Sequence, residues 1–299
     1  MTQTVLLAGA TGMLGTHIAA ALLDRPEARV RLLVRAGKRA AVAALLDRGA
    51  ELIEGDLADA ASLDRATQGV DVVVSAVQGG PAVVVDGQVA LAEMAKRNGV
   101  RRILPSDFAL DLFEATPGEH MMFDLRRAAD ERIASLGLEC VHLLQGGFMD
   151  LFRPGAGLIG DDGIVRFWGD GTRPVEVTSV EDTARMAVRV ALDRDVASGK
   201  FAFAGDRISI LDATAAVEAR TGRRFERRSL GSETDLRAAL EQARSETANP
   251  FKAVMLAYQL YMLTGQTALS DLRNGRYPDL ELESFAQFTT RTMPPATPS

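Results

Sequence analysis

The stretch TVLLAGATGMLG, residues 4–15, decides which fold the chain is expected to adopt. Its apolar start predicts a buried strand, and the apolar spacing that follows its first glycines predicts an amphipathic helix. Gly9 permits a tight turn after the strand, Gly12 lets backbone amides approach a pyrophosphate, and Gly15 lets the helix pack closely on the sheet. The pattern GxxGxxG between a strand and a helix therefore predicts a dinucleotide-binding turn, with turn geometry alone as the alternative.

Strand and helix patterns alternate outward from this turn through the first half of the chain. Short apolar runs predict strands over residues 4–8, 30–34, 51–54, 72–75, 102–104 and 140–144. Segments with helical spacing of apolar residues lie between them, among them residues 13–23, 83–96 and 121–136. Such alternation favours crossover units and a parallel sheet with helices on both faces. We therefore expect an α/β fold with a Rossmann-type doubly wound parallel sheet over residues 1–150.

The alternation becomes irregular after about residue 145. Glycine and proline punctuate residues 145–174, which indicates loops and short hairpins. Beyond them the spacing predicts helices over residues 180–192, 211–220, 234–243 and 253–263, and strands over residues 200–204 and 224–230. Because no linker separates the two halves, residues 151–299 are expected to form a smaller α+β substrate-binding lobe rather than an independent domain.

The composition of the 299 residues excludes several classes of function. The formal net charge is −6, and this mild acidity argues against a DNA-binding protein, because phosphate binding needs a concentrated basic face. The single cysteine, Cys140, excludes an internal disulfide, and with three histidines it leaves too few soft ligands for a thiolate-rich zinc site. No targeting segment or membrane-spanning run is visible. We therefore expect a cytoplasmic protein, monomeric or homodimeric, without a metal, a nucleic-acid partner or a membrane.

The end of the second predicted strand indicates which dinucleotide is bound. Arg35 lies twenty residues after Gly15, near the position where an NAD site carries an acidic residue and an NADP site carries arginine. Glu27 is the only carboxylate between residues 26 and 46, and Lys38 adds a second cation close to Arg35. A guanidinium and an ammonium suit a phosphate, so the sequence predicts NADP(H) as the cofactor. The alternative is a solvated basic loop.

Further cofactor-binding candidates follow the strands or belong to the glycine-rich turn. Asp56 follows the third predicted strand, where its carboxylate can accept a hydrogen bond from the adenine amino group. Aspartate is also a common N-cap, so Asp56 can equally begin the helix that follows. The other candidates at such positions are Thr11, Met13, Leu14, Ala76, Val77 and Gln78. They are chosen because doubly wound sheets bind their ligands at the carboxyl ends of the strands.

Four stretches of the chain together resemble the atypical short-chain dehydrogenase/reductases of the NmrA-like and isoflavone-reductase-like group. They are GATG (9–12) with Gly15; Val34-Arg35 with Lys38; Gln88 with RILPSDF (102–108); and QGGFM (145–149). The third stretch resembles the family's FxPSEFG and is more specific than the glycine pattern, and the resemblance covers most of residues 3–290. It implies a Rossmann domain that binds NADPH and reduces an aromatic or phenylpropanoid-like small molecule. It also implies cofactor contacts from Ser106, Phe108, Gly147 and Phe148.

Two departures from the family bear on catalysis. The isoflavone-reductase-like enzymes carry a lysine three residues after a phenylalanine that matches Phe123, and this lysine position is Arg126 here. Asp107 and Ala109 replace the family's Glu and Gly, and the Tyr-x-x-x-Lys pair of ordinary short-chain dehydrogenases is absent. Arginine does not release a proton near neutral pH, but it can stabilise developing negative charge. Arg126 is therefore a catalytic candidate, with a solvent-exposed arginine paired with Asp130 as the alternative.

His120 is the second catalytic candidate. It lies four residues before Asp124, and a histidine with a carboxylate partner can supply a proton near neutral pH. The alternative, which the sequence favours, is a surface residue in the first helical turn. His142 and Cys140 alternate within a predicted buried strand, where both are expected to belong to the core.

Apolar and aromatic residues of the second half are candidates for a substrate pocket. Phe148, Met149 and Phe152 follow the sixth predicted strand, in a loop that lines the nicotinamide and the substrate in the family that the chain resembles. Trp168 and Tyr258 are further candidates, for the pocket wall and for a lid. Residues of this kind more often pack in a core, which is the alternative for each of them.

The leading interpretation is an NADPH-dependent reductase of an aromatic or conjugated small molecule. The glycine-rich turn, the PSDF stretch and the size of the second half favour it. The alternative, which Arg126 favours, is an NADP(H)-sensing regulatory protein that binds a partner protein without turnover. A nucleotide-sugar epimerase or dehydratase shares the first domain, but it normally needs the missing Tyr-Lys pair.

Overall fold

The computed structural model describes residues 2–246 and 250–295 and confirms the predicted α/β class. The helices are α1 (Met13–Leu23), α2 (Ala43–Asp47), α3 (Ala60–Thr67), α4 (Gln88–Arg97), α5 (Met121–Ala134), α6 (Val180–Leu192), α7 (Ile210–Thr221), α8 (Glu233–Ser245), α9 (Pro250–Thr264) and α10 (Phe285–Thr292). The strands are β1 (Gln3–Ala8), β2 (Ala28–Val34), β3 (Glu51–Glu54), β4 (Val72–Ser75), β5 (Arg102–Leu104), β6 (Glu139–Leu144), β7 (Gly147–Phe148), β8 (Ile164–Phe167), β9 (Val175–Thr178), β10 (Gly199–Ala202), β11 (Asp206–Ile208) and β12 (Glu226–Ser229).

Seven strands form one sheet within the described residues, in the order β10-β6-β5-β4-β1-β2-β3. The pairs β1–β2, β1–β4, β2–β3, β4–β5 and β5–β6 are all parallel. The order of the strands reverses at β1, so the ends of β1 and β4 border the switch point at which doubly wound sheets bind their ligands. The register pairs Ala8 with both Leu33 and Ser75, which brings the turns after β1, β2 and β4 to one edge of the sheet.

The predicted strands agree with the observed ones to within two residues, whereas the helix before β5 differs from its prediction. The segment expected as one helix over residues 83–96 begins as a π-helical turn, Ala82–Gly87, and then continues as α4. Gly87 lies against Leu57, because a Cβ at Gly87 would be 2.9 Å from the Leu57 Cβ. The π turn was not predicted, because apolar spacing alone does not distinguish a single π turn from an α turn.

Arg102 in β5 is among the largest fully buried side chains around the large sheet. Its guanidinium donates hydrogen bonds to the carbonyls of Val190 at 3.0 Å and Val196 at 2.6 Å, and to that of Asp193. It also pairs with the Glu139 carboxylate at 2.9 Å. Burial lowers the pKa of Arg102, but these acceptors replace the water that the charge has lost. These hydrogen bonds attach the end of α6 and the loop after it to the start of β5.

The chain divides into two compact units. The first unit comprises Met1–Phe108, Leu125–Leu143 and Val180–Phe201, and the second unit comprises Ala109–Asp124, Leu144–Ser179 and Ala202–Ser299. These bounds differ from a division at residue 150, because α6 packs against α1 and β10 joins the large sheet. Helix α5 begins in the second unit and continues in the first. In the described part of the chain, no helix is long and apolar enough to cross a membrane.

The second unit contains small sheets and an aromatic core. β11, β9 and β7 form one sheet, and β12 pairs in parallel with β8. Phe285 contacts Phe152 edge to face at a centroid distance of 5.3 Å and lies 5.9 Å from Phe288. Strands β7, β8, β9 and β11 were not predicted, because each has only two to four residues and glycine or charged residues interrupt its apolar pattern.

Candidate functional site

The glycine-rich turn between β1 and α1 depends on the absence of side chains at two positions. Gly9 has a φ of +93°, and a Cβ there would lie 2.4 Å from the Ala76 carbonyl oxygen. A Cβ on Gly15 would lie 2.1 Å from the Gly9 carbonyl oxygen, which is closer than side chains approach. Gly12 is different, because its Cβ would come no closer than 3.4 Å to another atom. The turn therefore needs Gly9 and Gly15 for its own geometry and leaves Gly12 open toward solvent.

Helix α1 begins at this turn in a way that suits an anion. Its N-cap, Gly12, is extended and makes no side-chain capping bond, and the first helical turn carries no acidic residue. The Thr16 hydroxyl donates to the carbonyls of Ala10 and Gly12, each at 2.9 Å, which fixes the turn from inside the helix. Thr11 and Met13 are exposed, and Leu14 is half-buried. The cradle fits a pyrophosphate, since helix N-termini offer N–H groups and a favourable dipole.

A basic turn follows β2 at the same edge of the sheet. The Lys38 amide donates to the Arg35 carbonyl at 3.1 Å, and Gly37 between them has a φ of +76°. Arg35, Lys38 and Arg39 are exposed, and within residues 2–246 and 250–295 their side chains have no hydrogen bond or ion pair. Two cations predicted to bind the phosphate of NADP(H) thus remain available for an anion.

The structure excludes one of the two alternatives for Asp56. Helix α3 is capped by Asp59, whose carboxylate accepts hydrogen bonds from the amides of Ala61 and Ser62. The expectation that Asp56 caps this helix is therefore wrong. Asp56 is exposed, and its carboxylate accepts from the Ala58 amide at 3.0 Å in a turn of its own. A contact between Asp56 and adenine stays a prediction.

A hydrogen-bond network joins the ends of β4 and β5. The Ser106 hydroxyl donates to the Val77 carbonyl at 2.8 Å, and the Ser106 amide donates to the Gln88 side-chain oxygen at 2.9 Å. The Gln88 amide group in turn donates to the Val84 carbonyl at 2.8 Å. Ser106 and Phe108 are buried, whereas the candidates after β4 range from half-buried to exposed: Ala76, Val77 and Gln78. Cofactor contacts from these residues stay predictions.

Three ionisable side chains of the first unit meet in the interior beside this network. His142 Nδ1 lies 2.7 Å from Asp107 Oδ2 and 3.7 Å from Asp130 Oδ2. His142 Nε2 lies 3.5 Å from the Cys140 sulfur. Burial, and then the neighbouring Asp107 charge, raise the pKa of Asp130 to about 9, although the Arg126 charge opposes this. His142 is a core histidine, as predicted, but its two aspartate neighbours were not foreseen.

Arg126 is half-buried on α5, not exposed to solvent. Its guanidinium lies 3.5 Å from the Asp107 carbonyl oxygen, at the outer limit of a hydrogen bond. No ion pair joins Arg126 to Asp130 in the part of the chain that the structure describes, so the alternative of an exposed pair is wrong. The positive charge lies next to the PSDF stretch, as the resemblance to the family implies. Its catalytic role is untested and stays a prediction.

His120 is buried, which contradicts the expectation of a surface histidine. Its side chain belongs to an aromatic group in the second unit, with ring centroids 3.9 Å from Phe123 and 4.3 Å from Tyr258. Its Nδ1 accepts from the Phe123 amide at 3.2 Å at the start of α5. The Asp124 carboxylate accepts instead from the Gly118 amide. The surface prediction failed because the first turn of α5 packs into an apolar cluster that the sequence spacing does not reveal.

The substrate-binding candidates separate into core residues and partly exposed ones. Met149 and Phe152 are buried in the aromatic core of the second unit, so they are packing residues and not the pocket wall that was expected. Phe148 is half-buried on β7, after Gly147, which is also half-buried. The Trp168 indole donates to the Gln259 side-chain oxygen at 2.8 Å, and Tyr258 packs on His120. Phe148, Trp168 and Tyr258 remain candidates.

Gly146 is a position that sequence analysis missed. It has a φ of +77°, and a Cβ there would lie 2.1 Å from the Glu176 carbonyl oxygen. The glycine therefore allows the loop before β7 to approach β9 closely. The paired glycines in the QGGFM stretch were the available signal, because a backbone crossing of this kind needs a residue without a side chain.

A cavity of about 510 Å³ lies in the first unit, away from the candidate residues. Its lining comes mainly from apolar side chains of α3, the π-helical turn and α4, among them Leu57, Leu63, Ala82, Ala90 and Met94. None of the predicted site residues lines it. The charged residues Asp86, Glu93 and Arg97 also line it, but no residue of the glycine-rich turn or the basic turn does, so we assign the site from those two turns and not from this cavity.

Comparison with known proteins identifies the family of this chain. The model of the NmrA-like family matches residues 1–270. The chain belongs to the NmrA-like family. The predicted family is thereby confirmed, and the glycine-rich turn, the basic turn and the PSDF stretch of this NmrA-like chain all lie within the matched region.

Relatives of this NmrA-like chain include plant reductases. It is 30% identical over 204 residues to phenylcoumaran benzylic ether reductase PT1 of Pinus taeda, a match that covers 63% of this chain and 65% of that protein. It is 29% identical to the isoflavone reductase homolog IRL of Zea mays, over 96% of this chain and 97% of that protein. The structure of AtPrR2 with NADP⁺ and (+)pinoresinol has a TM-score of 0.84 at 23% identity, covering 97% of this chain and 99% of AtPrR2. That structural similarity confirms the fold.

Proposed function

We propose that this chain is an NADPH-dependent reductase that transfers hydride to an aromatic or otherwise conjugated small molecule. The observation that carries the proposal is the tight glycine-rich turn, which opens an uncapped helix N-terminus beside a basic turn. The names of the relatives support it, because they are reductases, and AtPrR2 is described with NADP⁺ and an aromatic lignan. In such enzymes NADPH supplies the hydride.

The residues of the first unit would bind and orient the dinucleotide. The amides after Gly12 would bind the pyrophosphate, and Arg35 with Lys38 would bind the phosphate that distinguishes NADPH from NADH. Ser106 and its hydrogen bond to Val77 would hold the ends of β4 and β5 where the nicotinamide half has to lie. All these groups follow parallel strands of one sheet, which gives the site a rigid base.

Arg126 and His120 are the two residues that we propose for catalysis, each on its own chemistry. Arg126 stays charged, so it would stabilise negative charge that develops on the substrate, without donating a proton. His120 carries an imidazole, which can exchange a proton near neutral pH. Phe148, Trp168 and Tyr258 would supply partly exposed aromatic surface for the substrate ring. This assignment is proposed separately for each residue.

The alternative function is an NADP(H)-sensing regulatory protein without turnover. The arginine at the family's lysine position favours it, because arginine removes the usual proton donor. Both functions need the same cofactor site. They differ in whether bound NADPH is oxidised.

Binding and turnover test the two functions in sequence. Nicotinamide fluorescence would follow titration with NADPH and NADH of the wild-type chain, Arg35→Ala and the control Arg29→Ala. Arg29 is an exposed arginine at the other end of β2, so its removal changes the net charge equally without altering the basic turn. We expect tighter binding of NADPH than of NADH, lost only in Arg35→Ala, and NADPH oxidation with an aromatic ketone or quinone. Equal affinity for both nucleotides would refute the cofactor assignment, and binding without turnover would favour the regulatory function.

The role of His120 is tested by His120→Gln with His17→Gln as its control. We expect kcat to fall about a hundredfold in His120→Gln, as loss of general acid catalysis implies, while the affinity for NADPH stays unchanged. His17 lies on α1, and its imidazole contacts the Met13 carbonyl at 2.8 Å. A kcat within twofold of wild type in His120→Gln would remove this histidine from the mechanism.

A further inference from the structure

The buried group of Asp107, Asp130 and His142 has the composition of a metal site. Asp107 follows β5, Asp130 lies on α5 and His142 lies on β6, and all three belong to the first unit. One ligand atom from each side chain lies within 4.8 Å of the other two. The side chains of Asp107, Asp130 and His142 are 0%, 6% and 13% exposed. Three elements of the fold thus direct an imidazole nitrogen and two carboxylates into one small volume.

The carboxylates of this group are short of partners. Both side-chain oxygens of Asp130, and Oδ1 of Asp107, are buried and accept no hydrogen bond from any described residue. Arg126, four residues before Asp130 on the same helix, directs its guanidinium to the Asp107 carbonyl instead. Burying a carboxylate without a partner is unfavourable by several kcal/mol, unless a cation or a proton compensates for it. Asp130 is therefore a buried, unpartnered ligand aimed into the group.

The environment of His142 suits a metal ligand as well. Its Nε2 lies 3.5 Å from the Cys140 sulfur, and a proton on Nε2 would be donated to that sulfur. Nδ1 would then present its lone pair toward Asp107 and Asp130. Metal-binding histidines commonly donate their second ring N–H to a neighbouring acceptor in this way, which fixes the tautomer. Because the Cys140 sulfur lies beside Nε2 and not beside Nδ1, Cys140 would act as that acceptor and not as a metal ligand.

We propose that Asp107, Asp130 and His142 bind one divalent transition-metal ion of the Zn²⁺ class. Two carboxylate oxygens and one imidazole nitrogen are a ligand set that Zn²⁺ accepts, with a fourth position left for water. The single cysteine excludes a thiolate-rich site, but it does not bear on a site made of carboxylates and histidine. The ion would neutralise both carboxylates and join the loop after β5 to α5 and β6. It would thereby fix Ser106 and Phe108, which flank Asp107, and it does not depend on the proposed reductase function.

Direct ion binding to chelator-treated protein tests the site. Titration with Zn²⁺ in a calorimeter, and with Co²⁺ followed by its visible absorption, would be applied to the wild type, Asp130→Asn and His142→Gln. Two control variants carry the same substitutions outside the group. They are Asp47→Asn, at an exposed residue of α2, and His17→Gln, on α1. We expect one equivalent bound to the wild type and to both controls, and affinity at least tenfold lower in each cluster variant.

Thermal unfolding provides a second measurement. A Zn²⁺ concentration a hundredfold above the wild-type dissociation constant should raise the Tm of the wild type by about 4 °C, and that of Asp130→Asn by no more than about 2 °C. Asparagine has the shape of aspartate and no charge, so Asp130→Asn is expected to fold, which circular dichroism would verify. Absence of binding at micromolar Zn²⁺, or binding that is equal in the wild type and Asp130→Asn, would overturn the proposal. The group would then hold a shared proton in place of an ion.

Discussion

The glycine-rich turn and the Asp107–Asp130–His142 group belong to the same unit, but their electrostatics are opposite. The turn is open to solvent, is built from backbone amides and lies at the same sheet edge as Arg35 and Lys38, whose side chains have no partner in the described residues. The group is closed, is built from side chains and holds two carboxylates. One region has cations without a partner at the surface, and the other has buried carboxyl oxygens that accept no hydrogen bond from the described residues. If both proposals hold, one sheet supports an anion site made of backbone amides and a cation site made of side chains.

The largest effect should come from filling the space that the turn requires. Gly15→Ala places a Cβ 2.1 Å from the Gly9 carbonyl oxygen, so α1 has to shift away from the turn. We expect the free energy of unfolding to fall by about 3 kcal/mol and NADPH binding to be lost. Gly12→Ala is the matched control, because its Cβ would lie 3.4 Å from the nearest atom. If denaturant unfolding gives the same free energy for both variants, the close contact at Gly15 does not determine stability.

Reversing the charge of the basic turn should have the next largest effect. Arg35→Glu replaces a cation by the acidic residue that NAD sites carry. We expect about thirtyfold weaker binding of NADPH, since a charged hydrogen bond is worth about 2 kcal/mol, and no loss of NADH affinity. Arg29→Glu applies the same charge change at the far end of β2 and should leave both affinities within twofold. Equal losses in the two variants would indicate a general effect of net charge.

The buried Asp107–Asp130–His142 group should make the free energy of unfolding depend on pH. The pKa of Asp130 is about 9 in the folded chain against an ordinary 3.8, because burial and the Asp107 charge disfavour ionisation. The folded chain therefore binds more protons than the unfolded chain between these two values, and the free energy of unfolding falls as pH rises through that window. Without metal, we expect the wild type to lose about 1–2 kcal/mol relative to Asp130→Asn between about pH 6 and pH 8. Denaturant titrations at each pH would measure it, and parallel profiles would contradict the shifted pKa.

The smallest effect concerns the network between the two regions. Ser106→Ala removes the hydrogen bond to the Val77 carbonyl, and we expect a loss of about 1 kcal/mol in the free energy of unfolding. Ser75→Ala is the control, because the Ser75 hydroxyl is buried and has no hydrogen-bond partner among the described residues. Removing that hydroxyl should be neutral or slightly stabilising. If calorimetry shows that both variants lose the same free energy of unfolding, the Ser106 hydrogen bond makes no specific contribution to stability.

Much of the cofactor region could be predicted because its signals are local. The spacing of Gly9, Gly12 and Gly15, and the apolar runs on either side, lie within one short stretch of chain. The position of Arg35 followed from counting residues along one crossover unit. The π-helical turn before α4 was missed because its apolar spacing resembles that of an α turn. Strands β7, β8, β9 and β11 were missed because glycine or charged residues interrupt their apolar pattern.

The catalytic and substrate candidates were predicted less well, because their environment depends on distant parts of the chain. His120 was expected at the surface, but its ring packs against Tyr258, which is more than a hundred residues away. Met149 and Phe152 were expected to line a pocket, but Phe152 packs against Phe285. An aromatic residue has the same local pattern in a pocket and in a core, so the sequence could not distinguish them.

The sequence by itself determined the α/β class, the parallel sheet, the glycine-rich turn and the basic turn, because periodicity, glycine and charge act over a few residues. Only the tertiary structure decided that Asp107, Asp130 and His142 meet in the interior, that Arg126 lies beside the Asp107 carbonyl and that His120 is buried. The physical reason is that burial and the distance between charges depend on how β5, α5 and β6 pack. Neither quantity is present in the local pattern of any one of these segments.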